Sequence, residues 1–186
     1  MTDGFMASCE INEYGSCKIF SEDAYGPEFF KKLNNKLKRE GVLDENLPFE
    51  KPQHFPGKCN TKSGRIISTA GYDFDRVVVV VDADDPNKRD DAYSQIEVHL
   101  VEGIKSKVYI IVLDYEIEEW ICHSLEIDFR NEKPTEALDK WCRVNRGKGY
   151  KKDKWQLPSF VDYLDIEKLM AHTSFRDYIE AVGERV

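Results

Sequence analysis

The stretch VVVVVDADDPNKRDD, Val77–Asp91, holds a strand in its first third and a cluster of carboxylates directly after it. Five consecutive β-branched residues suit an extended chain. A half-buried strand would alternate apolar and polar, whereas this run is apolar on both sides. Both faces must therefore be covered, which fits a parallel strand inside an α/β sheet. The run then empties into Asp82, Asp84 and Asp85 within four residues. In open parallel sheets, ligands sit at the carboxyl ends of the strands, so these acids stand where function is expected.

Working outward, KVYIIVL (Lys107–Leu113) reads as a second buried strand, ending at Asp114. SCKIFS (Ser16–Ser21) reads as a third, ending at Glu22. A helix follows it: Pro27 suits the first turn, Gly41 the stop, and Phe29, Phe30, Leu33 and Leu37 form an apolar stripe. Leu43–Lys62 holds three prolines and reads as loop, with a short extended piece near Leu47–Phe55. Further helices are expected over Thr61–Tyr72, Asp91–Ile104, Tyr115–Leu125, Pro134–Val144 and Ile166–Val182. In the Tyr115–Leu125 helix, Ile117, Trp120, Ile121 and Ser124 make one face, and Glu116 and Glu119 project elsewhere. Strands alternating with helices predict a single α/β domain: a mainly parallel four-stranded sheet flanked by helices, with its core at about 16–130 and a small helical C-terminal extension at about 131–186.

The chain has 186 residues, 41% hydrophobic and 33% charged, the composition of a globular domain rather than a disordered one. No apolar run approaches a membrane span, and no signal peptide is read at the N-terminus. Cys9, Cys17, Cys59, Cys122 and Cys142 are odd in number and include no CxxC, so a disulfide framework is not expected and a reducing cytoplasm is the expected compartment. His54, His99, His123 and His172 show no ligand spacing and read as structural. The absence of GxSxG, P-loop and GxGxxG motifs leaves serine-hydrolase and nucleotide-cradle readings without support.

Residues two apart on an extended strand face the same side, so Asp82 and Asp84 could converge. Two close carboxylates repel, and Mg²⁺ or Mn²⁺ relieves the repulsion with hard oxygen ligands. Glu22, from a neighbouring strand, could supply a third oxygen or act as a base. The bland alternative is a solvated turn before a helix, since Asp85-Pro86 is a common turn signal. DxD after an apolar strand also occurs in haloacid-dehalogenase phosphatases, where Asp82 would be nucleophile and Asp84 acid/base, and in nucleotide-sugar glycosyltransferases.

The order of motifs is more specific than any one of them. KIFSEDAYGPEFFKKL, then VVVVVDADD, then LDYEIEEWICHSL resembles the Toprim domain of topoisomerases, primases and overcoming-lysogenization-defect nucleases, and within it small stand-alone Toprim-like proteins. The resemblance spans about Cys17 to Val182. It implies that Glu22 acts as general acid or base and that Asp82 and Asp84 hold Mg²⁺, with Glu118 of the E-I-E-x-W segment as a possible additional acid. One departure is Asp23, where the family usually has Gly.

A net charge of −8 counts against nucleic acid as a partner. RVNRGKGYKKDKW, Arg143–Trp155, runs the other way. Lys148, Lys151, Lys152 and Lys154 could neutralise phosphates there, and Trp155 could stack on an unpaired base. The plain alternative is a solvated loop. Together these features lead to an expectation of Mg²⁺- or Mn²⁺-dependent phosphodiester chemistry on nucleic acid, most simply nuclease-type hydrolysis. The rivals are a non-catalytic Toprim-like binding or regulatory subunit with a protein partner, and the phosphatase.

Overall fold

The computed structural model describes residues 15–183, so the N-terminal stretch and Cys9 lie outside the described residues. Four strands, β1 (Cys17–Ser21), β2 (Gln53–His54), β3 (Arg76–Asp82) and β4 (Val108–Leu113), form one sheet in the order β2-β1-β3-β4. Every pairing is parallel, with Ser21 opposite Val80 and Asp82 opposite Leu113. The valine run is thus the central strand beside β1 and β4, and its residues are buried on both faces. Val78 and Val80 pack into one layer with Ile19, Ile111 and Leu113. Val77, Val79 and Val81 pack into the other with Phe20 and Val112. Period-two alternation is intact; it is invisible in the sequence because both layers are apolar.

Helix α1 (Gly26–Arg39) covers the first layer through Phe29, Phe30, Leu33 and Leu37. Asp23 opens it: its Oδ1 accepts from the amides of Tyr25 (2.7 Å) and Gly26 (3.2 Å). Gly26 must lack a side chain, because a Cβ there would lie 2.0 Å from Ser21 Oγ. Helices α2 (Thr61–Asp73) and α3 (Arg89–Glu97) cover the second layer. The Asn60 side chain caps α2 by accepting from Lys62 N at 2.9 Å.

Helix α3 ends at Glu97 instead of continuing to Ile104. Ile96 and Ile104 are both buried as their spacing suggested, but a turn and a 3₁₀ segment (Glu102–Lys107) connect them and deliver the chain to β4. Helix α4 (Glu118–Ser124) starts three residues later than its pattern implied, and α5 (Pro134–Arg146) packs on it. The C-terminal region is helical: α6 (Gln156–Ser159), a 3₁₀ turn, α7 (Ile166–Leu169) and α8 (Thr173–Gly183). The single helix expected over Ile166–Val182 is broken at Met170–His172, where His172 N bonds Leu169 O at 2.8 Å and closes a turn. Trp120, fully buried, joins this region to α1 through edge contacts with Phe30 and Phe175.

No helix among the described residues is long and apolar enough to cross a membrane. Cys17, Cys122 and Cys142 are buried thiols and Cys59 is exposed, with no disulfide among them. Burial pushes the Cys17 thiol up to about 12, which leaves it inert at neutral pH.

Candidate functional site

The parallel register brings the C-terminal ends of β1, β3 and β4 to one edge of the sheet, and the acids that follow them meet there. Glu22 comes directly after β1, and its amide extends the ladder to Val80 O at 3.0 Å. Its Oε2 accepts from the amide of Asp82 at 3.2 Å. Glu22 is therefore joined to the main chain of the first Asp of DxD across neighbouring strands.

Asp84 arrives by a different route from the one expected. The strand ends at Asp82, and Asp84 takes a left-handed conformation, φ 62°. Strand alternation no longer governs where its side chain points. Its amide is held by Tyr115 O at 3.3 Å, and its side chain is 66% exposed. Asp84 and Glu22 still face one group, the ammonium of Lys58, at 3.9 Å and 3.2 Å respectively. Lys58 also donates to the main-chain oxygen of Asp82. Asp85 does what a turn acid does: its Oδ1 accepts from Asn87 N at 2.9 Å and caps the following 3₁₀ turn.

A second lysine gathers the remaining acids. Lys152 Nζ lies 2.8 Å from Asp23 Oδ2, 3.1 Å from Glu116 Oε2 and 2.8 Å from Glu118 Oε2. The contact with Glu118 is an ion pair off the hydrogen-bond direction, whereas Glu116 accepts an aligned bond. Glu118 is fully buried, and its other oxygen accepts from Tyr150 OH at 2.7 Å. Glu116 also accepts from the amide of Thr135 at 3.0 Å, tying the site to the first turn of α5.

Glu118 and Glu119 are not the solvated side of an amphipathic helix. Both are fully buried. Glu119 braces the β4–α4 turn by accepting from Asp114 N (3.2 Å) and Tyr115 N (2.7 Å). Asp114, the acid directly after β4, is paired with Arg89 of α3. These two are engaged in the frame of the turn, and of the strand-end acids Glu22, Asp82 and Asp84 the last lines a cleft.

Burial sets the electrostatics. It pushes the Asp82 carboxyl well above the usual carboxylate range, aided by the charges of Glu22, Asp23 and Glu118 and opposed by Lys152. Burial also raises Glu118 to about 7 despite Lys152, and Glu119 to about 7 despite its amide donors. Burial lowers Lys152, but Glu118 and Asp23 outweigh that desolvation and raise it. Tyr150 is raised by burial and by Glu118, so its hydroxyl remains a neutral donor.

Among the described residues no three Asp, Glu, His or Cys side chains converge closely enough to hold a metal ion. Mg²⁺ does not require such a cage: it is commonly bound by one or two carboxylates, waters and substrate phosphates. Asp82 fits that mode. Its carboxyl is half-buried, crowded by other acids, and receives no hydrogen bond from the described residues. Asp82 and Glu22 are the carboxylates that could take part in binding of that kind.

Lys152 is missing from the exposed basic surface expected of Arg143–Trp155, because its head is turned inward to the acids. Lys148, Lys151 and Lys154 are exposed, as is Trp155 at 74%. Tyr150 and Lys152 pin this segment to the acid cluster, so its exposed cations adjoin the site. Lys58, Asp23 and Glu116 were not legible as site residues in the sequence. A cleft of about 250 Å³ opens beside Lys58 and Asp84 and also touches Lys88 and Asp91. A larger cleft, about 840 Å³, lies along β4 and α8, between Tyr109, Ile111 and Ile179, apart from these acids. No protein-family model, curated protein or solved structure matches the chain.

Proposed function

We propose that this chain performs Mg²⁺- or Mn²⁺-dependent phosphodiester hydrolysis on nucleic acid. The observation that carries the reading is the meeting of Glu22 and Asp82 at the carboxyl edge of a parallel sheet: Glu22 Oε2 accepts from the Asp82 amide, and the half-buried Asp82 carboxyl beside it receives no hydrogen bond from the described residues. Asp82 and Glu22 would hold the cation, with Asp84 at the mouth of the site. When bound, the cation would polarise a phosphate oxygen and offset charge developing there.

The chain's own groups account for the rest. Glu22 Oε2 is engaged by the Asp82 amide and Lys58, which leaves Oε1 to take the proton of an attacking water. Lys152 and Tyr150 hold Glu118 in place and fix the basic segment beside the acids. Lys148, Lys151 and Lys154 would track the phosphates of a strand, and Trp155 would stack on one of its bases.

A second reading has its own support. Lys58 and Lys152 already neutralise much of the acid cluster, as they would in a non-catalytic binding or regulatory subunit. The phosphatase is less well supported: Asp84, its acid/base, faces Lys58 rather than a leaving group. The test is cleavage of end-labelled single-stranded DNA and RNA with Mn²⁺, Mg²⁺ or chelator. Cleavage that needs the cation and disappears in both Glu22→Gln and Asp82→Asn supports hydrolysis. Mn²⁺ binding without cleavage of either polymer favours the regulatory subunit. A trapped phospho-aspartyl group at Asp82 favours the phosphatase.

A further inference from the structure

Lys58 stands on the loop between β2 and α2, directly after Gly57, whose φ of 126° turns the chain towards the strand ends. Its side chain is only 16% exposed. The ammonium meets three oxygens from two strand ends: Glu22 Oε2 at 3.2 Å, Asp84 Oδ2 at 3.9 Å and the main-chain oxygen of Asp82. All three are hard acceptors without a proton to give, the donor type that a small divalent cation takes. The lysine already occupies it. The neighbouring Asp82 carboxyl is half-buried and receives no hydrogen bond from the described residues. The site therefore contains one cation place filled by the chain itself and one unanswered carboxyl beside it.

We infer that Lys58 is a tethered competitor of the divalent cation. It holds Glu22 and Asp84 until it is displaced, and so keeps the site's affinity for the free ion low. This inference rests on the cation reading above. Its consequence is an order of events. An anionic phosphodiester entering the cleft beside Lys58 attracts the ammonium, frees Glu22, and lets the cation load where substrate is already present. A site without Lys58 would load from solution alone.

The experiment is calorimetric titration of the metal-free protein with Mn²⁺, without substrate, comparing the native chain with Lys58→Met and Lys58→Arg. Removing a positive charge within 4 Å of the ligand Glu22 and of Asp84 at the mouth should tighten Mn²⁺ binding by about tenfold or more in Lys58→Met. Lys58→Arg keeps the charge and should bind close to the native value. Should Lys58→Met fail to fold, Lys58→Gln keeps a donor for the Asp82 oxygen without the charge, and the same tightening is expected. Equal or weaker binding in the uncharged variants, with native protein still binding, overturns the competition and leaves the cation reading intact. No binding by any of the proteins overturns both.

Discussion

Replacing Lys152 with Met removes the ammonium shared by Asp23, Glu116 and Glu118, and the resulting loss of stability should depend on pH in a way set by Glu118. Glu118 is fully buried, and with Lys152 present its carboxyl lies at about 7, against an ordinary value of 4.5. A folded value above the unfolded one means that stability is fully present below about pH 4.5 and is lost as pH rises through about 7. Ionising native Glu118 at alkaline pH thus costs about 3 kcal/mol. Without Lys152 its folded value moves higher, because the ammonium was the main force lowering it. The carboxyl then stays protonated through neutral pH. Each pH unit above about 7 takes roughly 1 kcal/mol more from the variant than from the native chain. At pH about 5, Glu118 is neutral in both folded proteins, and only the pairs with Asp23 and Glu116 are lost, about 2 kcal/mol together. The deficit should therefore grow from about 2 kcal/mol in acid to about 4–5 kcal/mol near pH 9. Tyr150 stays a neutral donor over that range, so it adds no titration of its own. Urea unfolding at fixed ionic strength measures the deficit. A constant deficit from acid to alkaline pH would refute the claim that Lys152 holds the charge of Glu118.

Three further outcomes follow from the geometry. Converting Lys148, Lys151 and Lys154 to Gln should lower the log–log salt slope of single-strand binding by about 2, at ~0.7 per lost phosphate contact; an unchanged slope reduces the segment to a solvated loop. Trp155→Ala should melt with the native chain, since Trp155 is 74% exposed, while weakening single-strand binding by about 1–3 kcal/mol. Burial and His123 lower His172 to about 4, so its contribution to stability is present above about 6.5 and lost as pH falls towards 4; His172→Asn should flatten that acid limb, and an unaltered limb counts against it.

The sheet was legible because its evidence is redundant. A valine run covered on both faces admits few structures, and KVYIIVL and SCKIFS repeat the message. Helix α1 was legible for a similar reason: its proline, its apolar stripe and its terminal glycine agree. The misjudged elements lacked such agreement. The four-residue spacing of Ile96, Leu100 and Ile104 suits one helix, but it is met equally by a short helix followed by a turn. Leu169, Phe175 and Val182 all enter the core as their pattern promised. The break between α7 and α8 is made by local bonds at Leu169–His172, which leave no mark on hydrophobic periodicity.

The site divides along the same line. Glu22 and Asp82 could be placed because each ends a strand, and strand ends in a parallel sheet share an edge. The orientation of the second aspartate was not legible because period-two geometry holds only within a strand, and the strand ends two residues earlier, at Asp82. Glu118 could be singled out only through the E-I-E-x-W resemblance, because a carboxylate on a helix is normally solvated. What makes its burial tolerable comes from far along the chain: a tyrosine 32 residues away and, through Lys152, a cation that also bonds Glu116 36 residues away. Such partners leave no local pattern. The same long-range pairing changes the weight of the net charge of −8. A uniform acidic surface would repel a polyanion, but six of these carboxylates are drawn into one strand-end cluster around two lysines. The segment that supplies one of those lysines exposes Lys148, Lys151, Lys154 and Trp155 next to it. An incoming strand would meet that local field first, because charges beyond about 8–10 Å are screened at physiological salt. The acidic total is therefore compatible with the nucleic-acid partner proposed for this edge.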